Sequence, residues 1–358
     1  MKSTAAGIVM TALIATGIVP ADAASSDGTP WSFPVTNTVN GQEAPGTWTP
    51  LPKADIKKPW KICVLFPHMK DPYWLAADYG IVNEAQRQNV NVQVYEAGGY
   101  TNLSTQLNQM DNCISQKFDA IILGAISGDG VSAQIRKAEA AGIPVIDFVN
   151  GVSEPKTAAH ALVSFYDLAY QTGKYVVQTF GDSSPKVGFF PGPQGASWSD
   201  AAVKGFNDAI KGSKVTIVDT RRGDTGMNVQ LSLIQNAMQA YPDMNFIVGV
   251  DIAAQAGAVA VRNSHKAGDI KVMAFDIIPG VYQDIAKGET AGSPSDFTVI
   301  QGRMAVDMAL RLLEKAPMQA NRSGPAPVMV TKDKQASLQW DTMFAPKDFS
   351  ATYEVKAK

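Results

Sequence analysis

Aromatic side chains recur at places where strand-like apolar runs end and helix-like segments begin. Tyr73 and Trp74 follow the run KICVLF, Tyr100 follows NVQVYEA, and Phe165 closes the run ALVSF. Ring faces attract a desolvated cation by about 2 kcal/mol or more in favourable cases. They also cover the apolar face of a sugar. Each ring taken singly fits a core position equally well, but together they predict a pocket for a methylated cation or a sugar ring.

Acidic residues share these positions: Asp71, Asp251, Asp276 and Asp296. Asp71 and Asp251 fit helix caps, because an Asp beside a helix start accepts hydrogen bonds from the free backbone N–H groups. Asp276, in AFDIIPG between a strand and a helix, is the better candidate for ligand contact. A carboxylate that faces a cleft prefers a cation or several hydroxyl donors.

The sequence offers little that could catalyse a reaction. Its three histidines, His68, His160 and His265, lack the spacing of a zinc site, and neither a G-x-S-x-G elbow nor a P-loop is present. Residues 128–133 match G-x-G-x-x-A, the pattern of a dinucleotide-binding loop. The match follows the third strand rather than the first, so we interpret it as a tight strand-to-helix turn. We therefore expect a protein without cofactor, metal or catalytic residues, and an exported enzyme is a minor alternative.

The N-terminus indicates export. Residues 1–23 combine Lys2, an apolar run over 5–19, and Ala21 and Ala23 in an A-x-A cleavage pattern. The run is shorter than the roughly 18 apolar residues of a membrane span, and no second run of spanning length follows. We expect the signal to be cleaved and the mature chain to be soluble.

The cysteine count and the net charge bear on disulfide bonding and on charged partners. Cys63 and Cys113 form an even pair in an exported chain, so either a disulfide or two buried thiols fits. A net charge of −2, evenly spread, gives no reason to expect nucleic acid or an anionic membrane surface as a partner.

Strand-like and helix-like segments alternate from Lys61 onward, and the alternation starts again after a first set of four strands. This pattern predicts an α/β fold of two doubly wound parallel-sheet lobes joined by crossover strands. The predicted divisions are a signal peptide (1–23), an extended N-terminal lead-in (24–58), an N-terminal lobe (59–163 with 298–325) and a C-terminal lobe (164–297 with 326–358).

The lead-in contains five prolines, a composition that disfavours helix and sheet, and Trp31 and Trp48 could pin it to the body. In open parallel sheets, ligands bind outside the carboxyl ends of the strands. The aromatic and acidic positions all lie on the loops that follow those ends. We therefore place the site in the cleft between the two lobes.

Three segments resemble a known family: WKICVLFPHMKDPYWLAADYG, YEAGGYTNLSTQLNQMDNC and FFPGPQGASWSDAAVKGFNDAIKGSKVTIVD. They look like the TorT family of periplasmic proteins, which detect trimethylamine N-oxide with a TorS-like sensor histidine kinase. That family is itself similar to type I periplasmic sugar-binding proteins. The resemblance runs from about Trp31 to the C-terminus and includes both cysteines. It implies a periplasmic location and the type I periplasmic binding protein fold.

The resemblance also implies site residues. The aromatic box of the family matches Tyr73, Trp74 and Tyr100, and its Asp before that pair matches Asp71. Its S-D crossing matches Asp296. Two positions depart from the family, because Phe165 stands where the family has Trp, and Asp276 stands where it has Tyr. Sugar-binding relatives carry Asp at the second of these positions.

The resemblance predicts a binding protein that closes on trimethylamine N-oxide or a related small ligand. It would pass that state to the ectodomain of a membrane sensor histidine kinase. The alternative is a sugar- or polyol-binding component of an ABC importer.

Overall fold

The computed structural model describes residues 31–152 and 157–358. The predicted signal peptide lies outside the described residues. The β-strands are β1 (Phe33–Val39), β2 (Gln42–Trp48), β3 (Lys61–Phe66), β4 (Asn91–Glu96), β5 (Ala120–Leu123), β6 (Val145–Phe148), β7 (Ala159–Ala161), β8 (Lys186–Phe190), β9 (Thr216–Thr220), β10 (Phe246–Gly249), β11 (Lys271–Ala274), β12 (Ser293–Ser295), β13 (Arg322–Pro325), β14 (Val328–Val330) and β15 (Glu354–Val355). The α-helices are α1 (Pro72–Gln88), α2 (Leu103–Ser115), α3 (Ser132–Ala140), α4 (Phe165–Phe180), α5 (Ser197–Ile210), α6 (Met227–Ala240), α7 (Asp251–Asn263), α8 (Pro279–Lys287), α9 (Thr298–Glu314) and α10 (Trp340–Met343).

Two sheets with parallel centres form the two lobes. Within the described residues, the larger sheet has the order β15-β4-β3-β5-β6-β7-β13-β1-β2, and the smaller one has the order β11-β10-β8-β9. Neighbouring strands from β4 to β13, and all those of the smaller sheet, pair in parallel. A short pair, β12 with β14, accompanies the chain crossing. The predicted α/β class with two parallel-sheet lobes is confirmed.

Helices α1 and α9 pack in direct backbone contact because each carries a glycine at the crossing point. A Cβ on Gly80 would lie 2.1 Å from the carbonyl oxygen of Val299, and one on Gly302 would lie 2.6 Å from that of Ala77. Helix α1 begins with Tyr73 and Trp74, while α9 begins directly after the crossing segment. The contact therefore fixes the predicted aromatic wall to the segment that joins the lobes.

The expectation that 24–58 avoids regular structure is wrong for its described part. Strands β1 and β2 form a hairpin in the register Phe33↔Trp48 to Val39↔Gln42, and β1 also pairs with β13. The turn residues Asn40 and Gly41 have φ of 53° and 77°, the conformation that Asn-Gly hairpin turns adopt. Pro45 is tolerated because β2 is the outermost strand. The Asn-Gly signal outweighed the prolines.

Two buried tryptophans hold this hairpin against the body. The Trp31 Nε1–H donates to Glu84 Oε2 on α1 at 2.9 Å. The Trp48 Nε1–H donates to Asp307 Oδ2 on α9 at 2.9 Å. The hairpin therefore braces the same two helices that meet at the glycine contact.

Two further expectations differ from the structure. The run ALVSF is not a strand: β7 ends at Ala161, and Phe165 opens α4, whose N-cap Ser164 accepts from the Asp167 N–H at 3.2 Å. Within the segment 326–358, predicted for the C-terminal lobe, β15 instead pairs with β4 of the larger sheet. A short terminal strand can join whichever sheet edge it reaches. The other lobe boundaries stay a prediction.

Cys63 on β3 and Cys113 on α2 are joined by a disulfide, with their Cα atoms 6.1 Å apart. Both are fully buried, so the bond ties α2 to the centre of the larger sheet. Among the described residues, no helix combines the length and the hydropathy that crossing a bilayer requires.

Candidate functional site

A cavity lies between the two lobes, outside the carboxyl ends of the strands, and holds about 290 Å³ of empty space, part of it continuous with solvent. Six of the seven residues predicted from the sequence line it, namely Asp71, Tyr73, Trp74, Tyr100, Phe165 and Asp276. The other lining residues are Val149, Asn150, Trp198, Thr225, Val250 and Asp251. The seventh predicted residue, Asp296, is hydrogen-bonded to the hydroxyl of Tyr73. The structure thus gathers the predicted residues, and their contact with ligand stays a prediction.

The start of α1 positions the first aromatic pair. Asp71 is the N-cap residue, and its Oδ1 accepts from the Trp74 N–H at 3.2 Å. The Tyr73 hydroxyl donates to Asp296 Oδ2 at 2.5 Å, and Asp296 also accepts from Gln301 Nε2 at 2.8 Å. Asp71 and Tyr73 therefore join the cavity wall to a helix start and to the chain crossing.

Tyr100 forms the next part of the wall. Its hydroxyl oxygen accepts from Asn150 Nδ2 at 3.0 Å. Its ring meets His68 and Trp198 at centroid distances of 5.4 and 5.8 Å. Burial raises the pKa of the Tyr100 hydroxyl, so this group stays a neutral donor.

Trp198 is a wall residue that the sequence reasoning missed. It lies in the first turn of α5, and its ring centroid is 5.3 Å from that of Phe165. Gly192 makes room for it, since a Cβ there would lie 2.4 Å from Trp198 Cη2. The available signal was positional, because Trp198 follows a strand and loop and opens a helix, as Trp74 does.

Asp251 and Asp276 form an acidic pair at the ends of β10 and β11. Asp276 Oδ1 accepts from the Asp251 N–H at 2.8 Å, and Asp251 Oδ1 accepts from the Ile252 N–H at 2.5 Å. Asp251 is the first residue of α7 rather than its N-cap, which is Val250. Burial, and then repulsion by neighbouring carboxylates, raises the pKa of both carboxyls well above 3.8.

The remaining charges near the cavity do not neutralise this acidity. Burial raises the pKa of Asp71 to about 7 and also raises that of Asp296. His68 lies 3.7 Å from Asp71, but burial lowers its pKa to about 4, so it is neutral at pH 7. None of the described residues that line the cavity is Lys, Arg or His. The result is a cavity of rings and carboxyls, partly open to solvent, whose described lining contains no basic side chain.

Polar contacts across the cleft hold the two lobes together at its edge. Lys70 Nζ lies 3.3 Å from Asp224 Oδ2, and His68 Nε2 lies 3.2 Å from Thr225 Oγ1. These contacts join the loop before α1 to the loop before α6, so the described conformation is one in which the lobes meet.

Comparisons with known proteins agree with this fold. Residues 62–317 match the periplasmic binding protein domain family. The chain therefore belongs to the periplasmic binding protein family. It is 35% identical to the periplasmic protein TorT of Escherichia coli K12 over 285 residues, which cover 80% of this chain and 81% of TorT. The predicted resemblance to TorT is confirmed.

Solved structures extend the comparison. A solute-binding protein of an ABC transporter from Bradyrhizobium sp. BTAi1, determined with bound bis-tris, matches with a TM-score of 0.77 and 39% identity over 90% of this chain and 98% of that one. TorT in its ligand-free complex with the TorS sensor domain matches with a TM-score of 0.73 and 29% identity over 82% of this chain and 99% of that one.

Proposed function

We propose that this chain is a periplasmic, TorT-like binding protein that closes its lobes on a small ligand with a positively charged nitrogen, trimethylamine N-oxide or a related compound. The observation that carries the proposal is the set of buried carboxyls and rings around a cavity whose described lining contains no basic side chain. Burying carboxylates without a partner is unfavourable, and aromatic faces attract desolvated cations. A ligand that brings the missing positive charge satisfies both.

The cavity favours a small ligand. Its lining side chains lie close together, and the empty space between them, about 290 Å³, includes a part that is open to solvent. The methyl groups of trimethylamine N-oxide would contact the rings of Tyr73, Trp74 and Phe165, while its nitrogen would face carboxylates. The chain would bind the ligand without transforming it.

The relatives support both the ligand class and a signalling role. TorT has been solved in complex with the TorS sensor domain in the presence of trimethylamine N-oxide. The bis-tris of the Bradyrhizobium protein is a hydroxylated tertiary amine. We infer that ligand-driven closure reshapes a surface that a TorS-like sensor histidine kinase contacts, which is a shift between two states biased by ligand affinity.

A second candidate is a sugar- or polyol-binding component of an ABC importer. Asp276 favours it, because a carboxylate also accepts from hydroxyl groups. The ribose import binding protein of Bacillus subtilis, 21% identical over 281 residues, belongs to the same wider set of relatives.

Titration calorimetry of the mature protein with trimethylamine N-oxide and with ribose tests the proposal. We expect binding of the N-oxide, loss of binding in Tyr73→Ala, and retention in a control variant, Tyr353→Ala, which alters an exposed tyrosine. Binding of ribose without any response to methylated nitrogen compounds would select the importer role.

A further inference from the structure

A second groove, here called the hinge groove, lies between the N-terminal hairpin and α4. It holds about 740 Å³ of empty space, part of it open to solvent. Residues of β1, β2 and β13 form one side, and Asp167 and Gln171 of α4 belong to the other. Residues 162–164, Pro325 and Pro327, where the chain leaves the larger sheet, also line it. The hinge groove therefore borders the segments about which the lobes would rotate.

The start of α4 separates the hinge groove from the interlobe cavity. Phe165 lines the cavity, whereas Asp167 lines the groove. Two residues along an α-helix lie about 200° apart around its axis, so these side chains leave opposite sides of α4. The helix belongs to the second lobe, because a Cβ on Gly205 of α5 would lie 2.1 Å from the carbonyl oxygen of Tyr166. The groove and the cavity thus lie on opposite sides of the chain crossing.

This placement couples the two spaces. A rotation about the crossing segments that brings the lobes together at the cavity separates them at the hinge groove. The lobes meet at the cavity edge through Lys70 and Asp224, so the structure shows the groove in its wide state. A molecule that fills the groove would therefore oppose reopening of the cavity. By linkage, groove occupant and cavity ligand would raise each other's affinity by the same factor.

The hinge groove carries unpaired charges of both signs. Thr38 of β1 pairs with Arg322 of β13 on one side and with Glu43 of β2 on the other. Residues directly opposite share a sheet face, and a strand spacing of about 4.8 Å puts the Arg322 and Glu43 Cα atoms roughly 10 Å apart. Within the described residues, neither side chain forms an ion pair or a hydrogen bond, and nor does the carboxylate of Asp167. The three groups remain free for a partner.

We propose that the hinge groove binds a segment of a partner protein that brings an acidic side chain to Arg322 and a basic side chain to Glu43 or Asp167. It binds this segment more tightly when the lobes are closed. In an extended segment, side chains two residues apart share a face and lie about 7 Å apart, so one segment can meet both signs of charge. A single small ion would pair with one sign only. The inference rests on the proposed signalling function and names the surface through which closure is recognised.

Charge reversal tests the docking surface, with the purified ectodomain of the TorS-like sensor kinase as the probe. Arg322→Glu reverses the one basic side chain among the described residues that line the groove. It should lower affinity for the ectodomain by about tenfold or more in calorimetry with trimethylamine N-oxide present. Lys332→Glu makes the same change at an exposed lysine outside the groove and should alter affinity by less than about threefold. Thermal unfolding checks that both variants fold.

Filling the groove tests the coupling without any partner. Gln171→Trp places a bulky ring in the space that narrows when the lobes open, so it should raise N-oxide affinity by about fivefold or more. Thr38→Trp fills the groove from the opposite side and should act in the same direction. Gln178→Trp, seven residues further along α4 and outside the groove, is the matched control and should leave the affinity unchanged.

The outcomes separate this inference from the proposed function. Equal ectodomain affinities in Arg322→Glu and Lys332→Glu, or unchanged N-oxide affinity in both groove-filling variants, would overturn the inference and leave ligand binding intact. A protein that bound no N-oxide would overturn the proposed ligand, and the ectodomain comparison would still decide the inference. An unaltered protein that did not bind the ectodomain would overturn both the signalling role and the inference.

Discussion

Buried charge is treated in opposite ways in two regions of this molecule. In the framework cluster, where α1 meets α9 beneath the N-terminal hairpin, Arg87 Nε donates to Glu84 Oε2 at 2.9 Å and Arg311 Nε donates to Asp307 Oδ2 at 2.8 Å. Trp31 and Trp48 add further donors to these carboxylates. The framework carboxylates thus find their cations within the fold.

The pocket cluster consists of Asp71, Asp251, Asp276 and Asp296, which are at most 5% exposed. The described structure gives these four no ion pair with a lysine or arginine. The framework even holds a third buried arginine, Arg303. The buried arginines of the described chain therefore lie away from the pocket. The framework carboxylates are paired with cations of the protein, whereas the pocket carboxyls have no such partner and could pair with a positively charged ligand.

Glu84→Gln should disrupt the framework cluster and have the largest effect on the free energy of unfolding. The change leaves the guanidinium of Arg87, whose side chain is 4% exposed, without its counter-charge. Removing one partner of a buried ion pair costs about 3–5 kcal/mol. Urea unfolding measures the loss, and Lys204→Ala, in an exposed pair, should leave stability nearly unchanged. A stable Glu84→Gln protein would mean that the two clusters do not differ in kind.

Asp276→Asn should separate binding from stability on the pocket side. Asn keeps an oxygen for the Asp251 N–H, and the raised pKa of Asp276 means that the unliganded protein loses little charge. Because burial raises the pKa of Asp276, we expect the unliganded variant to unfold at no lower a temperature near pH 7, while N-oxide affinity falls by about tenfold as one carboxylate is removed. A variant that is destabilised but still binds would assign Asp276 to the framework.

Asp71→Asn should leave stability unchanged at low pH and change it only as the pH rises. The pKa of Asp71 is about 7 in the fold against an ordinary 3.8. Its contribution to stability is therefore fully present below pH 3.8 and is lost as pH rises through 7. Asn still caps α1.

The variant should match the unaltered protein at pH 4. At pH 8 the variant no longer carries the cost of burying the Asp71 charge. Its thermal unfolding midpoint should then exceed that of the unaltered protein by roughly 2–4 °C for each kcal/mol of that cost. Thermal scans of both proteins across this range measure the difference. An equal shift at both pH values would contradict the assignment.

Sequence reasoning anticipated the parts of this molecule that local pattern determines. The alternation of strands and helices yields parallel sheets, and the strand ends of a parallel sheet share one edge. Tyr73, Trp74 and Tyr100 could therefore be assigned to one cavity from the sequence.

Features that depend on long-range packing could not be predicted from the sequence. Arg87 and Arg311 look like surface residues on their helices, but in the fold their guanidinium groups donate to the carbonyls of Leu51 and Thr49, just after the hairpin. The pairing of Asp251 with Asp276 joins residues 25 positions apart in sequence. The place of Trp198 in the wall depends on its packing against Phe165 and Tyr100, which local sequence pattern does not reveal.

Proton release on ligand binding tests most directly whether the pocket awaits a positive charge. The unliganded carboxyls hold protons because burial raises their pKa values, to about 7 for Asp71, and a positive nitrogen would lower them. Calorimetry with trimethylamine N-oxide in buffers of different ionisation enthalpy should show net release of protons near pH 7. Affinity should rise with pH through that value. Binding that neither releases protons nor changes between pH 6 and 8 would contradict the account.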